Sequence, residues 1–168
     1  MQLRIAGIEP ESIVDGPGYR FAVFVQGCAH ACAGCHNPET HDFEGGKLVD
    51  TAEIIAHLGK NPLVRGLTLS GGEPMLKAEA LCEIAQAAKT RGMNVWCYTG
   101  YTYEELMEIN DPAQQRLLSL CDVLVDGPYV ASLRSLDLFF CGSRNQRLID
   151  LNCTRAAGEI RLYDPQAW

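Results

Sequence analysis

GLTLSGGEPMLKAEALCEIAQAAKTRGMNVWCYTG, residues 66–100, reads in succession as strand, turn, helix, stop and strand. GLTLS (66–70) is a short buried strand that ends at Gly71-Gly72. Between Leu76 and Arg91, Leu81, Ile84, Ala85 and Ala88 fall on one helical face, and Gly92 supplies the stop. NVWCYTG (94–100) returns to strand composition. Strands joined through a helix are parallel, and the crossover is right-handed.

The alternation continues on both sides of this unit. Upstream, RFAVFVQG (20–27) is β-branched and aromatic, and a polar, Gly-rich loop (36–47) follows the cysteines beyond it. Asp50-Thr-Ala-Glu53 has capping-box form and opens a short helix that Gly59 can close. Downstream, Thr102-Tyr-Glu-Glu105 and Asp111-Pro-Ala-Gln114 read as helix starts. DVLVDG (122–127) is a fourth strand and QRLIDL (146–151) a fifth. No repeat, low-complexity tract or linker interrupts the chain, so a single domain over residues 1–168 is expected.

Four to six such units are too few for a closed eight-stranded barrel, which takes about 250 residues. The expected fold is α/β: an open, partial (β/α) barrel of parallel strands with helices outside. Sites in such folds gather at the C-terminal ends of the strands. Cys28, Gly71-Gly72-Glu73-Pro74, Thr99-Gly100 and Asp126-Gly127-Pro128 all fall there.

Bulk properties narrow the function classes. A net charge of -7 disfavours a nucleic-acid-binding role, and the slight basic excess of residues 130–168 reads as ordinary solvated charge. The N-terminus lacks the apolar core of a signal peptide, and no stretch approaches a membrane span, so the expected location is cytoplasmic.

Of eight cysteines, Cys82, Cys97, Cys121, Cys141 and Cys153 are scattered, mostly beside apolar neighbours, and read as small hydrophobes. Cys28, Cys32 and Cys35 are clustered in GCAHACAGC (27–35), with C-x3-C-x2-C spacing. Three thiolates on one loop can hold three corners of a [4Fe-4S] cubane and leave one iron open to a substrate; electron-transfer clusters usually have four protein ligands. A zinc site is the competing reading, with His30 or His36 as the fourth ligand, although no second cysteine pair follows at finger spacing. The paired glycines after the 66–70 strand leave backbone N–H and C=O groups for a zwitterionic amino acid head.

Taken together, the cysteine loop and the GGEP turn resemble the radical S-adenosylmethionine superfamily. ESIVDGPG (11–18), CHNPE (35–39), WCYTGYT (96–102), DVLVDGPY (122–129) and GSRNQRLID (142–150) are similar to the activating proteins of glycyl-radical enzymes, and within them to those of anaerobic ribonucleoside-triphosphate reductase. The resemblance covers about residues 11–151. It implies that S-adenosylmethionine chelates the open iron, with Gly71, Gly72, Glu73 and Pro74 around its methionine moiety. Glu73 then either accepts a hydrogen bond from the ligand or shapes the turn. Reductive cleavage yields a 5′-deoxyadenosyl radical that takes a hydrogen atom from a glycine of the reductase, the protein substrate.

No side-chain acid, base or nucleophile is required, and Asp122 and Asp126 read at least as well as loop and capping residues. The residue before the third cysteine is often aromatic in the superfamily and is Gly34 here; Gly34 and His36 are expected to border the S-adenosylmethionine site, with His36 taking part in adenine stacking in place of a side chain at position 34. No cysteine lies between Cys35 and Cys82, so the electron is expected from an external donor such as flavodoxin. The alternative reading within the group is an activase of pyruvate formate-lyase.

Overall fold

The structure is a computed structural model and describes residues 1–166. Seven strands form one sheet: β1 (Gln2–Ser12), β2 (Arg20–Val25), β3 (Lys47–Asp50), β4 (Gly66–Gly71), β5 (Asn94–Tyr98), β6 (Val123–Asp126) and β7 (Arg147–Asp150). Their order is β3-β1-β2-β4-β5-β6-β7, and the sheet does not close. The helices are α1 (Thr51–His57), α2 (Ala78–Thr90), α3 (Tyr103–Ile109), α4 (Pro112–Leu120) and α5 (Leu151–Ala157).

The centre is the expected open barrel of parallel strands, with β2, β4, β5 and β6 side by side. The edges differ from the expectation. β1 pairs antiparallel to β2, β3 antiparallel to β1, and the 146–151 strand, realised as β7, runs antiparallel to β6. No helix separates β6 from β7, only a long connection with a short 3-10 turn at Ala131–Leu133, so the chain can return beside β6 in the opposite direction.

Alternation within the parallel strands divides the interior in two. Val95 and Cys97 of β5 and Leu124 of β6 join the helix-side core, where Leu81, Ile84, Ala85 and Ala88 of α2 are fully buried as the helical spacing predicts. Trp96, Val123 and Val125 face the concave side, where they meet Tyr98, Phe140, Cys141, Leu148 and Tyr163. Phe140 and Tyr163 both stand edge-on to Trp96, with ring centroids 5.3 and 5.2 Å away.

Arg20 is buried among these rings, with its guanidinium carbon 5.4 Å from the Trp96 ring centre. Its donors reach Thr68 Oγ1 (2.7 Å) and the carbonyls of Leu67 (2.9 Å) and Pro17 (3.2 Å). Burial lowers its pKa to about 10, so it keeps its charge at neutral pH.

The caps follow local chemistry. Thr102 and Glu105 form the expected capping box at α3, and Asp111 accepts from the Gln114 N–H with Pro112 in the first helical position. Asp50 caps α1 by accepting from the Ala52 N–H.

Candidate functional site

The parallel strands β2, β4, β5 and β6 end side by side at Val25, Gly71, Tyr98 and Asp126, and the loops leaving these ends form a single mouth. It encloses about 410 Å³, and its lining includes Cys28, Cys32, Cys35, His36, Gly71, Gly72 and Glu73. Most of the residues singled out from sequence therefore meet at one place. Among the described residues, no three His, Cys, Asp or Glu side chains converge tightly enough for a single metal ion.

The cysteine loop is anchored at both ends. Gly27 N–H donates to the Thr40 carbonyl (2.7 Å) and Cys28 N–H to that of His41 (3.3 Å). Buried Gln26 extends its amide across the loop base to the carbonyls of Glu39 (2.9 Å) and Asp42 (2.7 Å). Gly27 has φ +105°, and a Cβ there would lie 2.6 Å from the Phe43 ring, so only glycine fits. Sequence reasoning missed Gln26; a lone amide at a strand end gives no local sign that it will staple a loop.

The thiols suit an iron–sulfur cluster. All three are partly buried and line one mouth, and the Asn37 N–H lies 3.4 Å from Cys35 Sγ, the kind of amide-to-sulfur hydrogen bond that tunes cluster thiolates. Burial raises the Cys28 thiol pKa, and coordination, which deprotonates a thiol outright, must overcome that. Cys82, Cys97 and Cys121 are buried in the helix-side core; Cys141 lies at the concave side and Cys153 is exposed.

The GGEP turn packs against the end of β2. Gly71 has φ +96°, and a Cβ on it would fall 2.5 Å from the Val25 nitrogen; one on Gly72 would fall 2.4 Å from the Gly27 carbonyl oxygen. Gly72 N–H donates to Val25 O and Glu73 N–H to Gly27 O, each at 2.8 Å. The small size of both glycines thus lets this turn approach the strand that carries Cys28. Pro74 is buried at the start of a 3-10 turn, Pro74–Lys77.

Glu73 is completely buried and its carboxylate is fully engaged. Oε1 accepts from Met75 N–H (2.9 Å) and Thr99 Oγ1 (2.8 Å), and Oε2 from Gly100 N–H (2.8 Å). His30 Nε2 stands 2.6 Å from Oε2, and this contact raises the His30 pKa. One carboxylate therefore ties the cysteine loop to the ends of β4 and β5.

Asp122 and Asp126 serve the fold. Asp126 accepts from Tyr103 N–H (2.8 Å) and from Arg147, whose guanidinium also reaches Glu104. Asp122 accepts from Val95 N–H (2.8 Å), Lys89 and Asn152.

Comparison with known proteins shows the family of the chain. A family described as a 4Fe-4S single cluster domain matches residues 14–149. The anaerobic ribonucleoside-triphosphate reductase-activating protein of Vibrio cholerae is 40% identical over 145 residues, covering 82% of this chain and 91% of its own. This chain belongs to that family. Its counterpart in Escherichia coli K12 is 37% identical (82% of this chain, 92% of its own), and that of phage T4 is 35% identical over 148 residues (84% and 90%). These names match the reductase reading of the sequence, not the pyruvate formate-lyase alternative. Among solved structures, QueE from Escherichia coli is similar over 61% of this chain and 54% of its own, at 18% identity and a TM-score of 0.47. Among the described residues no helix is long and apolar enough to cross a membrane.

Proposed function

We propose that this chain activates anaerobic ribonucleoside-triphosphate reductase by generating a glycyl radical on it. The observation that carries the reading is the meeting of three cysteine thiols and the GGEP turn at one open mouth. Cys28, Cys32 and Cys35 would hold a [4Fe-4S] cluster, and Gly71, Gly72 and Pro74 would border the methionine moiety of S-adenosylmethionine. Bound there, the cluster would supply the electron for reductive cleavage of the sulfonium, chemistry that would serve removal of a hydrogen atom from the reductase glycine.

The chain's own contribution is placement. Glu73 and Gln26 fix the cysteine loop against the strand ends, and the unclosed sheet leaves the mouth accessible to a loop of another protein. The electron would come from an external donor such as flavodoxin. The expected setting is the cytoplasm, with neither nucleic acid nor membrane among the partners.

Mixed anaerobically with the reductase, a reductant and S-adenosylmethionine, the iron-loaded protein should produce an electron paramagnetic resonance doublet, because an α-carbon glycyl radical keeps one strongly coupled hydrogen. Deuterated glycine in the reductase should collapse the splitting and pass label into 5′-deoxyadenosine. A doublet on pyruvate formate-lyase, with none on the reductase, would transfer the assignment to that enzyme.

A further inference from the structure

Gly34 sits directly before the last clustered cysteine with φ +74°, a conformation that side-chain-bearing residues rarely adopt. Tyr129 borders the space beside it: a Cβ on Gly34 would make ordinary van der Waals contact, 3.5 Å from Cε1 of Tyr129 and 3.8 Å from Ala131 Cβ. Tyr129 belongs to the β6–β7 connection, almost a hundred residues further along the chain. Its half-buried ring packs against the His36 imidazole, with centroids 4.9 Å apart and planes tilted by 48°, and it lines the mouth.

The opposite edge of the Tyr129 ring faces Gly142. A Cβ there would approach Cδ2 and Cε2 at 3.1 and 3.2 Å and His36 at 3.3 Å, so glycine allows the ring its place. The backbone around Tyr129 is clamped to the far end of the same connection. Gln146 Nε2 donates to Gly127 O (3.1 Å), Asn145 Nδ2 to Pro128 O (2.7 Å), and Val130 N–H to Ser143 Oγ (3.2 Å). Gln146 Oε1 in turn accepts from the N–H groups of Gly142 (2.8 Å) and Ser143 (3.2 Å). The ring is therefore set in position by the fold itself.

Three other aromatic groups of the mouth are otherwise engaged, and His36 packs on Tyr129 itself. His30 is bound to Glu73 and edge-on to Tyr101, and Phe140 packs on Trp96. Tyr98 is mostly buried with the concave-side cluster. An aromatic face held in place beside the cysteine loop is what a flat heteroaromatic base needs for stacking.

We infer that Tyr129 is the platform for the purine ring of S-adenosylmethionine, supplied from outside the cysteine loop where Gly34 has no side chain to offer. This rests on the reading of the mouth as the S-adenosylmethionine pocket. Gln146 acts as a positioning residue through the connection it clamps.

The test compares Tyr129→Ala and Tyr129→Phe with the unaltered iron-loaded protein by anaerobic equilibrium dialysis. The ligands are labelled S-adenosylmethionine, 5′-deoxyadenosine and methionine, and iron per chain is measured in parallel. Loss of one base–aromatic stack should weaken S-adenosylmethionine and 5′-deoxyadenosine binding by roughly 5- to 150-fold in Tyr129→Ala. Methionine binding and iron content should hold, and Tyr129→Phe should bind like the unaltered protein. Unchanged affinity in Tyr129→Ala with iron intact would overturn the inference, as would loss of iron in both variants. If the unaltered protein bound no S-adenosylmethionine, the reading of the mouth would fall first and this inference with it.

Discussion

All four acceptor positions of the Glu73 carboxylate are occupied by groups of the chain, which assigns it to holding the mouth together. Glu73→Gln places an NH2 among donors and breaks a buried charged network. It should destabilise the protein by about 2–4 kcal/mol in denaturant titrations. Iron per chain should fall as well, because His30 lies between Cys28 and Cys32 and loses its partner. A variant with full stability and full iron, but weakened S-adenosylmethionine binding, would instead mean that Glu73 touches the ligand. Its sequence position was legible from the GGEP turn; its partners were not, since Thr99, Gly100 and His30 come from separate loops. Tyr129, Gln146 and Gln26 were invisible for the same reason. Each acts where distant segments converge, and no local pattern encodes that convergence. The cysteine triad was legible because one loop carries all three donors at ligand spacing.

Between elements, the parallel strands and the faces of α2 could be read from periodicity, because each buries a regular set of apolar side chains. The edge strands could not. β1, QLRIAGIEPES, has an interrupted alternation, and its pairing with β2 shifts register at Ile5/Gly7 and Glu9/Ser12. β3 has only four residues, and the direction of β7 depends on the route of its connection rather than on its own composition. Asp122 shows how elements are joined once placed, since it links α2, β5 and α5 through Lys89, Val95 and Asn152. Burial acts to raise its pKa, but donations from Asn152, Lys89 and the Val95 N–H outweigh burial and hold it below the ordinary range. A depressed carboxylate contributes stability above its unfolded pKa and loses it as pH falls through the folded value. Asp122→Asn should therefore cost about 1–3 kcal/mol near neutral pH. The difference from the unaltered protein should begin to shrink as pH falls below the ordinary aspartate value of about 4, and close only once the folded carboxylate, held lower, is protonated. A gap constant with pH would mean that charge contributes nothing to the link.

At the scale of the whole molecule, the fold is half a barrel whose missing wall is left to something else. A closed barrel surrounds its reactants; here the sheet ends at β3 and β7, and the concave side is filled only in part by the 128–146 connection. An opening wide enough for another protein's loop is wide enough for dioxygen, and nothing in an unclosed sheet distinguishes the two. Protection from air would then be a property of the complex: the reductase, once docked, supplies the wall. The visible absorbance of the iron-loaded protein should bleach severalfold more slowly in air when the reductase is present in excess. Equal rates would mean that the docked reductase leaves the mouth uncovered. A chain built this way trades the shelter of a closed vessel for access to a macromolecular substrate.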